Sequence, residues 1–308
     1  MLKQRHLPSR VQDVGPAPVV TMPVWPLIRL ARPEQWVKNG LVFAALLFSG
    51  QVLVPTSAWL AVLAFVGFCL ASSAAYSLND ALDAEEDRRH PRKRLRPVAS
   101  GLISPRQAVA SAALLAGAAV ALGLAVSPPV GLIVLLYLSV NLLYSFALKH
   151  AVLLDIMAIA SGFVLRAVGG AVAIGVEMSL WFLVCVPLLS LLLAVGKRRH
   201  ELLTIEGAAD HRGVLNDYPA QLLDQLIAVL SAAVLMAYFL FAMDSAKPYL
   251  FMLTSPMVIY GMFRYLYLVY RQAENGSPEE LMFKDAPLLV AVTLWVVATA
   301  AIIYVGKR

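Results

Sequence analysis

Apolar residues fill most of this chain in long blocks, and polar residues collect in the gaps between them. The blocks cover residues 40–54, 57–78, 106–126, 129–148, 153–176, 179–196, 222–243, 248–270 and 286–305. A helix needs about 20 apolar residues to cross the hydrocarbon core of a bilayer. The pattern therefore predicts an all-α integral membrane protein with nine transmembrane helices. "SPP" at 127–129 and "GVEMS" at 175–179 read as tight turns between spans.

The polar gaps alternate in charge. Those after spans two, four, six and eight hold Arg88, Arg89, Arg92, Lys93, Arg94, Arg96, Lys149, Lys197, Arg198, Arg199, Arg212, Arg271 and Lys284. Those after spans one, three, five and seven are short and hold only Lys247. Positive charge marks the cytoplasmic side, so the N-terminus and the even-numbered loops are expected there, with Lys307 and Arg308 outside. Residues 1–25 carry Lys3, Arg5, Arg10 and several prolines but no apolar core of signal-peptide length. They read as a flexible cytoplasmic tail, and residues 26–308 as one transmembrane domain of a cell-membrane protein. "PLIRLARPEQWVKN" (26–39) reads as an interfacial helix with Trp36 and Lys38 near the boundary.

Composition agrees: 60% of the 308 residues are hydrophobic and only 14% charged, with a mean hydropathy of +0.75. A soluble domain is nearer half apolar and a quarter charged. Hydropathy excludes a soluble nucleic-acid binder, and the net charge of +6 fits loop bias and anionic ligands instead. Cys69 and Cys185 lie in apolar runs and suggest neither a disulfide framework nor a metal site.

One gap, "SLNDALDAEEDRRHPRKRLRPVASG" (77–101), concentrates carboxylates and then cations. Spacings of three, four and seven residues place Asp80, Asp83 and Asp87 on one face if the second span continues as a helix. Such a stripe is self-repelling unless a cation joins it, although it also reads as a solvated loop helix. Hard oxygen donors with the Asn79 amide beside them suit Mg²⁺, which keeps few protein ligands and completes its shell with phosphate and water. Glu85 and Glu86 fall off this face. Six Arg or Lys follow between residues 88 and 96. Topology accounts for part of that charge, and guanidinium groups beside an Mg²⁺ face are also what a diphosphate needs. Pro91 and Pro97 break the helix and let the basic segment fold back over the stripe.

"NDALDAEEDRRHP" resembles the first aspartate-rich motif of the UbiA superfamily of intramembrane prenyltransferases, and the likeness runs over residues 26–306. "RPEQWVKNGLVF", "HPRKRLRPVASG", "YSFALKHAVLLDIMAIASGFVLRAVGGA" and "GKRRHEL" look like its decaprenyl-phosphate phosphoribosyltransferase branch. The resemblance implies a UbiA-type bundle and transfer of 5-phosphoribosyl from phosphoribosyl diphosphate to a polyprenyl phosphate. That step leads toward decaprenylphosphoryl arabinose for cell-wall arabinan. The second aspartate motif of ordinary prenyltransferases is missing. The loop after span six reads "GKRRHELLTIEGAADHRG", and Glu201, Glu206 and Asp210 do not reproduce it. A donor with an additional 5-phosphate fits those cations.

The mechanism this implies uses Asn79, Asp80, Asp83 and Asp87 for Mg²⁺ on the donor diphosphate, with Asp80, Asp83, Asp87 and Asp155 as the catalytic carboxylates. Arg92, Lys93, Arg94 and Arg96 are candidates for the phosphates. Lys149, Arg166 and Lys197 are candidates for the ribose 5-phosphate or the lipid phosphate. Lys38 and Asn39 enter through "WVKN", and Tyr144 and Arg198 complete a ring at the cytoplasmic helix ends. Each of these alone also reads as an interface anchor. Arg166, eleven residues beyond Asp155, lies on its face about 16 Å away along a helix. At that depth it suits an anion contact or a structural ion pair. Gly162, Gly169 and Gly170 read as sites of close helix packing. The sequence carries no evident Ser-His-Asp or Cys-His constellation. Two rival readings are a prenyltransferase with a small acceptor and a non-enzymatic lipid transporter; a homo-oligomer is left open.

Overall fold

The computed structural model describes residues 24–89, 93–204, 217–271 and 284–305. The expected tail thus falls outside them except for Val24 and Trp25, which already belong to the first helix. All regular structure among the described residues is helical. Helix α1 (Val24–Ala31) leads into a 3-10 stretch, Pro33–Phe43, and the short α2 (Ala44–Phe48). Helix α3 (Pro55–Leu82) is followed by α4 (Ala84–Arg89) and a 3-10 turn at Lys93–Leu95. Then come α5 (Pro105–Val126), α6 (Pro128–Phe146), a turn at Leu148–His150, α7 (Leu154–Ala173) and α8 (Leu180–Thr204). The chain ends with α9 (Ala220–Asp244), α10 (Pro248–Met252), α11 (Ser255–Arg271) and α12 (Ala286–Val305).

Seven of these helices are long and apolar enough to cross a membrane: α3, α5, α6, α7, α8, α9 and α12. Of the nine expected transmembrane helices, the first and the eighth are not single helices of that length. Residues 40–54 do not form one helix, because Pro33–Phe43 is a 3-10 stretch that enters the bundle with Asn39 and Val42 fully buried. Gly170 of α7 makes room for it: a Cβ there would lie 2.0 Å from the carbonyl oxygen of Val42. Residues 248–270 split at Leu253–Thr254. The Thr254 hydroxyl donates to the Phe251 carbonyl at 2.7 Å and contacts the Tyr238 hydroxyl. A side chain that bonds its own preceding turn competes with the helix ladder.

Lipid offers no hydrophobic drive for helix pairing, so contact depends on close approach of small residues. Helices α3 and α5 lie against each other, and Ala64 and Ala71 of α3 share one buried cluster with Ala119 of α5. Gly169 faces the Phe68 ring, where a Cβ would be only 2.5 Å from Cε2. Helix α7 ties two cores together. One contains Phe68, Val134, Tyr137 and Ala173, and the other contains Ile156, Leu192, Leu223 and Tyr265.

The contacts of the carboxylates and lysines sort to two ends. At one end Trp181 donates to Asp244 at 2.7 Å, and Lys247 reaches the Ile302 carbonyl. The other end holds the acidic motif, Lys149, Asp155, Arg198 and Asp285. The helices therefore alternate in direction as the loop charges predict.

Candidate active site

Helix α3 stops at Leu82. Asp83 forms its C-cap at φ −91°, ψ 9°, and α4 resumes at Ala84. The backbone stays hydrogen-bonded through the break, with the Asp83 amide on Asn79 O at 2.9 Å and the Asp87 amide on Asp83 O at 2.8 Å. The helix that carries the three carboxylates is thus interrupted at Asp83, yet Asp80 and Asp87 still share one cation, Arg96. Asp80 and Asp87 are buried, Asp83 is half-buried, and Glu85 and Glu86 are exposed.

Each carboxylate takes cations from another part of the chain. Arg96 folds back as expected, placing Nη1 2.6 Å from Asp87 Oδ2 and 3.3 Å from Asp80 Oδ1. Arg32 donates through Nη2 to the same Asp80 oxygen. Lys149, beyond α6, places Nζ 2.7 Å from Asp83 Oδ1. The return loop is pinned by apolar contact of Val98 and Ile103 with Leu30, Ala84 and Ala108. Arg94 is exposed and Lys93 is half-buried in the turn beside Arg96. Arg92 lies outside the described residues.

Two oxygens in this cluster are buried without a hydrogen-bond partner: Asn79 Oδ1 and Asp80 Oδ2. A buried acceptor left unmade costs about 1–3 kcal/mol, more when charged, so such an atom calls for an occupant. Among the described residues no group of three or more acidic, His or Cys side chains is arranged as a metal cage. Mg²⁺ does not require one, since it binds through one or two carboxylates plus substrate phosphates. The donor set therefore fits Mg²⁺: unpartnered hard oxygens on two consecutive residues, with the carboxylates of Asp83 and Asp87 on the same segment.

A second cluster joins the ends of α6, α7 and α8. Arg198 is fully buried. It donates to Asp155 Oδ2 through Nε and to Glu201 through Nη1, and its Nη2 lies 3.3 Å from the Tyr144 hydroxyl. Asp155 Oδ1 accepts from the Tyr218 hydroxyl at 2.6 Å. That hydroxyl in turn accepts the Leu153 amide at 2.6 Å, at a residue with φ 66°. Burial and the bond to Asp155 push the Tyr218 phenol above its ordinary value. Both oxygens of Asp155 are thus taken by protein donors. Lys197 is half-buried next to Arg198, and Glu206 and Asp210 lie outside the described residues.

Asn39 and Arg166 come together in a third place. Arg166 gives Nε to Asn39 Oδ1 at 2.6 Å, Nη1 to Gly162 O at 2.8 Å and Nη2 to the Tyr137 hydroxyl at 2.8 Å. Asn39 Nδ2 faces Cys69 Sγ at 3.3 Å and Ser72 Oγ at 3.2 Å. Those two residues precede Asp80 by eleven and eight positions in α3, about 12–16 Å along the axis. This network fixes the 3-10 stretch to α3, α6 and α7. Lys38, its neighbour, is half-buried.

Arg32, Tyr218 and Tyr76 were not among the residues expected from sequence. Arg32 has φ 51°, ψ 62° directly before Pro33, and its guanidinium lies 5.0 Å from the Tyr76 ring centroid. The residue before proline is driven out of the right-handed helical region, so "ARP" carried a signal for a turn there. Nothing near Tyr218 in the sequence marks its long-range bond.

A family model described as the UbiA prenyltransferase family matches residues 40–285. The chain is similar to proteins named decaprenyl-phosphate phosphoribosyltransferase. In Mycolicibacterium smegmatis the identity is 36% over 293 residues, covering 90% of this chain and 92% of that one. In Corynebacterium glutamicum it is 35% over 290 residues, covering 91% and 87%. Among solved structures, a UbiA homolog from Archaeoglobus fulgidus bound to DMAPP and Mg²⁺ matches with a TM-score of 0.71 at 19% identity, covering 91% of this chain and 99% of that one. At that identity the match establishes the fold.

Proposed function

The chain belongs to the UbiA prenyltransferase family, a multi-pass membrane protein family, and on that premise we propose that it transfers 5-phosphoribosyl from phosphoribosyl diphosphate to a polyprenyl phosphate such as decaprenyl phosphate. The observation that carries the reading is the pair of unpartnered buried oxygens, Asn79 Oδ1 and Asp80 Oδ2, among cations contributed by Arg32, Arg96 and Lys149. Such a place takes a divalent cation together with a polyphosphate.

Asn79 and Asp80, with Asp83 and Asp87, would hold Mg²⁺. The bound ion supplies a Lewis acid that stabilises negative charge on the departing diphosphate. Arg96 and Arg32 shift their hydrogen bonds from the carboxylates to diphosphate oxygens, and Arg92, Lys93 and Arg94 lie on the same returning segment. Lys149 and Lys197 face the remaining phosphates, with Lys38 and Tyr144 at the rim. Asp155 holds Arg198 and Tyr218 in place, and the Asn39–Arg166 pair holds the entering 3-10 stretch.

The bond from ribose C1 to the diphosphate oxygen breaks with its electron pair on the leaving group. The bond from C1 to a lipid phosphate oxygen forms on the opposite face, through a transition state of oxocarbenium character as in glycosyl transfer. The attacking oxygen is already ionised at neutral pH, so no general base is needed. Positioning and electrostatics supply the rate. Loop charge supports a site on the cytoplasmic face of the cell membrane, and a product of this kind would serve cell-wall arabinan precursor synthesis.

The test is purified protein in detergent with labelled phosphoribosyl diphosphate and decaprenyl phosphate. Label is expected in the lipid fraction, lost with EDTA and restored by Mg²⁺. Transfer from a prenyl diphosphate to an aromatic acceptor, with none from the ribosyl donor, would overturn the reading.

A further inference from the structure

Arg32 stands between α1 and the 3-10 stretch with φ 51°, ψ 62°. Side chains other than glycine, asparagine and aspartate seldom occupy that left-handed region. Such a conformation persists only where the surrounding structure fixes it, and it gathers at functional sites. The bend is closed on both sides by the backbone. The Arg32 amide meets Arg29 O at 3.3 Å, and the Gln35 amide meets Arg32 O at 2.9 Å.

One side chain from another helix grips both arms of this bend. Ser73 of α3 is 1% exposed. Its hydroxyl donates to Ala31 O at 2.8 Å and accepts Trp36 Nε1 at 3.0 Å. Ala31 ends α1, where a helix leaves carbonyls without partners of its own. Trp36 lies on the 3-10 stretch beyond the bend. Docking of α1 has its own apolar contacts, with Leu27 and Leu30 packed among Val98, Ile103 and Ala108. The Ser73 hydroxyl is therefore not what holds α1 in place. What it fixes is the position of residues 31 and 36, and so the direction in which Arg32 leaves the chain.

That direction runs along one face of α3. Ser73, Tyr76 and Asp80 follow at spacings of three and four residues, about 10 Å from first to last. The backbone before and after Arg32 is tied to Ser73, its guanidinium lies 5.0 Å from the Tyr76 ring centroid, and its Nη2 ends on Asp80 Oδ1. The other oxygen of Asp80 is buried without a hydrogen-bond partner.

We propose that Ser73 is a positioning residue for the ribosyl donor. By holding both arms of the Arg32 bend it sets where the guanidinium falls beside Asp80, and hence where a diphosphate is received. Ser73 touches no substrate and acts through Arg32. The inference rests on the activity proposed above and adds to it a residue two helical turns away from the acidic motif.

The experiment uses the full chain in nanodiscs. Ser73→Ala should raise the KM for phosphoribosyl diphosphate at least fivefold, with kcat and the KM for decaprenyl phosphate within about twofold, the pattern of lost donor binding. In the Arg32→Ala background the same change should add less than about twofold, because nothing remains for the hydroxyl to place. A full multiplicative loss in the double variant overturns the proposal, as does an equal loss for both substrates. Ser77→Ala removes a buried hydroxyl that donates to Ser73 O of its own helix at 2.8 Å. It should leave the donor KM within about twofold, and a rise equal to that of Ser73→Ala assigns the effect to a loosened α3 instead.

Trp36→Phe covers a Ser73 variant that fails to fold, since it keeps an aromatic ring and removes only the donor to Ser73. A donor KM raised about threefold is expected. An unchanged donor KM in either folded variant overturns the proposal and leaves the activity intact. Absence of ribosyl transfer by the unaltered protein sinks the activity itself.

Discussion

Lys149 leaves the end of α6 and meets Asp83 at the break after α3, Nζ to Oδ1, at 2.7 Å. The pair joins the acidic motif to the end of the bundle where α7 and α8 also terminate. Both side chains keep some exposure, 15% and 17%. Solvent screening leaves a pair of this kind worth about 1 kcal/mol or less. Asp83→Asn is therefore expected to leave the melting temperature nearly unchanged. It should lower Mg²⁺-dependent turnover roughly 100-fold, the scale of losing one preorganised charge at a reacting centre. Full activity in Asp83→Asn would remove this carboxylate from the site.

Arg32 and Arg96 converge on one oxygen of Asp80 and leave the other free. Arg32→Ala should raise the KM for phosphoribosyl diphosphate at least tenfold while the KM for the lipid moves little. Arg32→Lys should recover only part of this, because an ammonium lacks the planar fork of a guanidinium. Equal loss for both substrates would assign Arg32 to folding alone.

Asn39 and Arg166 act as one unit through the 2.6 Å bond between them. A hydrogen bond to a charged group contributes about 1.5–3 kcal/mol. Arg166→Ala and Asn39→Ala should each lower thermal stability by several degrees in detergent. The double variant should be less destabilised than the sum, as for residues sharing a network. Strict additivity would separate them.

Asp285 precedes α12, accepts the Leu288 amide at 2.9 Å and pairs with Arg264 at 2.7 and 3.0 Å. The hydrogen bond from Arg264 holds its carboxyl below the ordinary value. A carboxyl lowered in the folded state contributes stability above its unfolded value, near 3.9. That contribution is lost as pH falls through the folded value. Melts of the unaltered protein and of Asp285→Asn should differ at pH 6, and the gap should begin to close only as pH falls below about 4. A gap that persists in acid would contradict this origin.

Much of the candidate site was legible in the chain. The fold-back of Arg96 follows from the prolines around the basic run, and the exposure of Glu85 and Glu86 follows from helical spacing. The helix through Asp80, Asp83 and Asp87 is interrupted where α3 ends and α4 begins, a break that helical spacing does not reveal, although Asp80 and Asp87 still share Arg96. Asp155 and Arg166 lie on the one helix and share its direction, yet each closes a different network. Spacing gives direction but does not name the partner.

Hydropathy and charge, which act locally, were enough to determine a helical membrane protein, the alternation of its loops and the end that carries its carboxylates. Tertiary structure decided what depends on contacts distant in sequence. Arg32 reaches Asp80 across 48 positions, Tyr218 reaches Asp155 across 63, and Asn39 reaches Arg166 across 127. The broken first span belongs to the same class. Its 3-10 path exists because Gly170, far along the chain, leaves room for the Val42 carbonyl, and close packing of that kind is set only when the helices assemble.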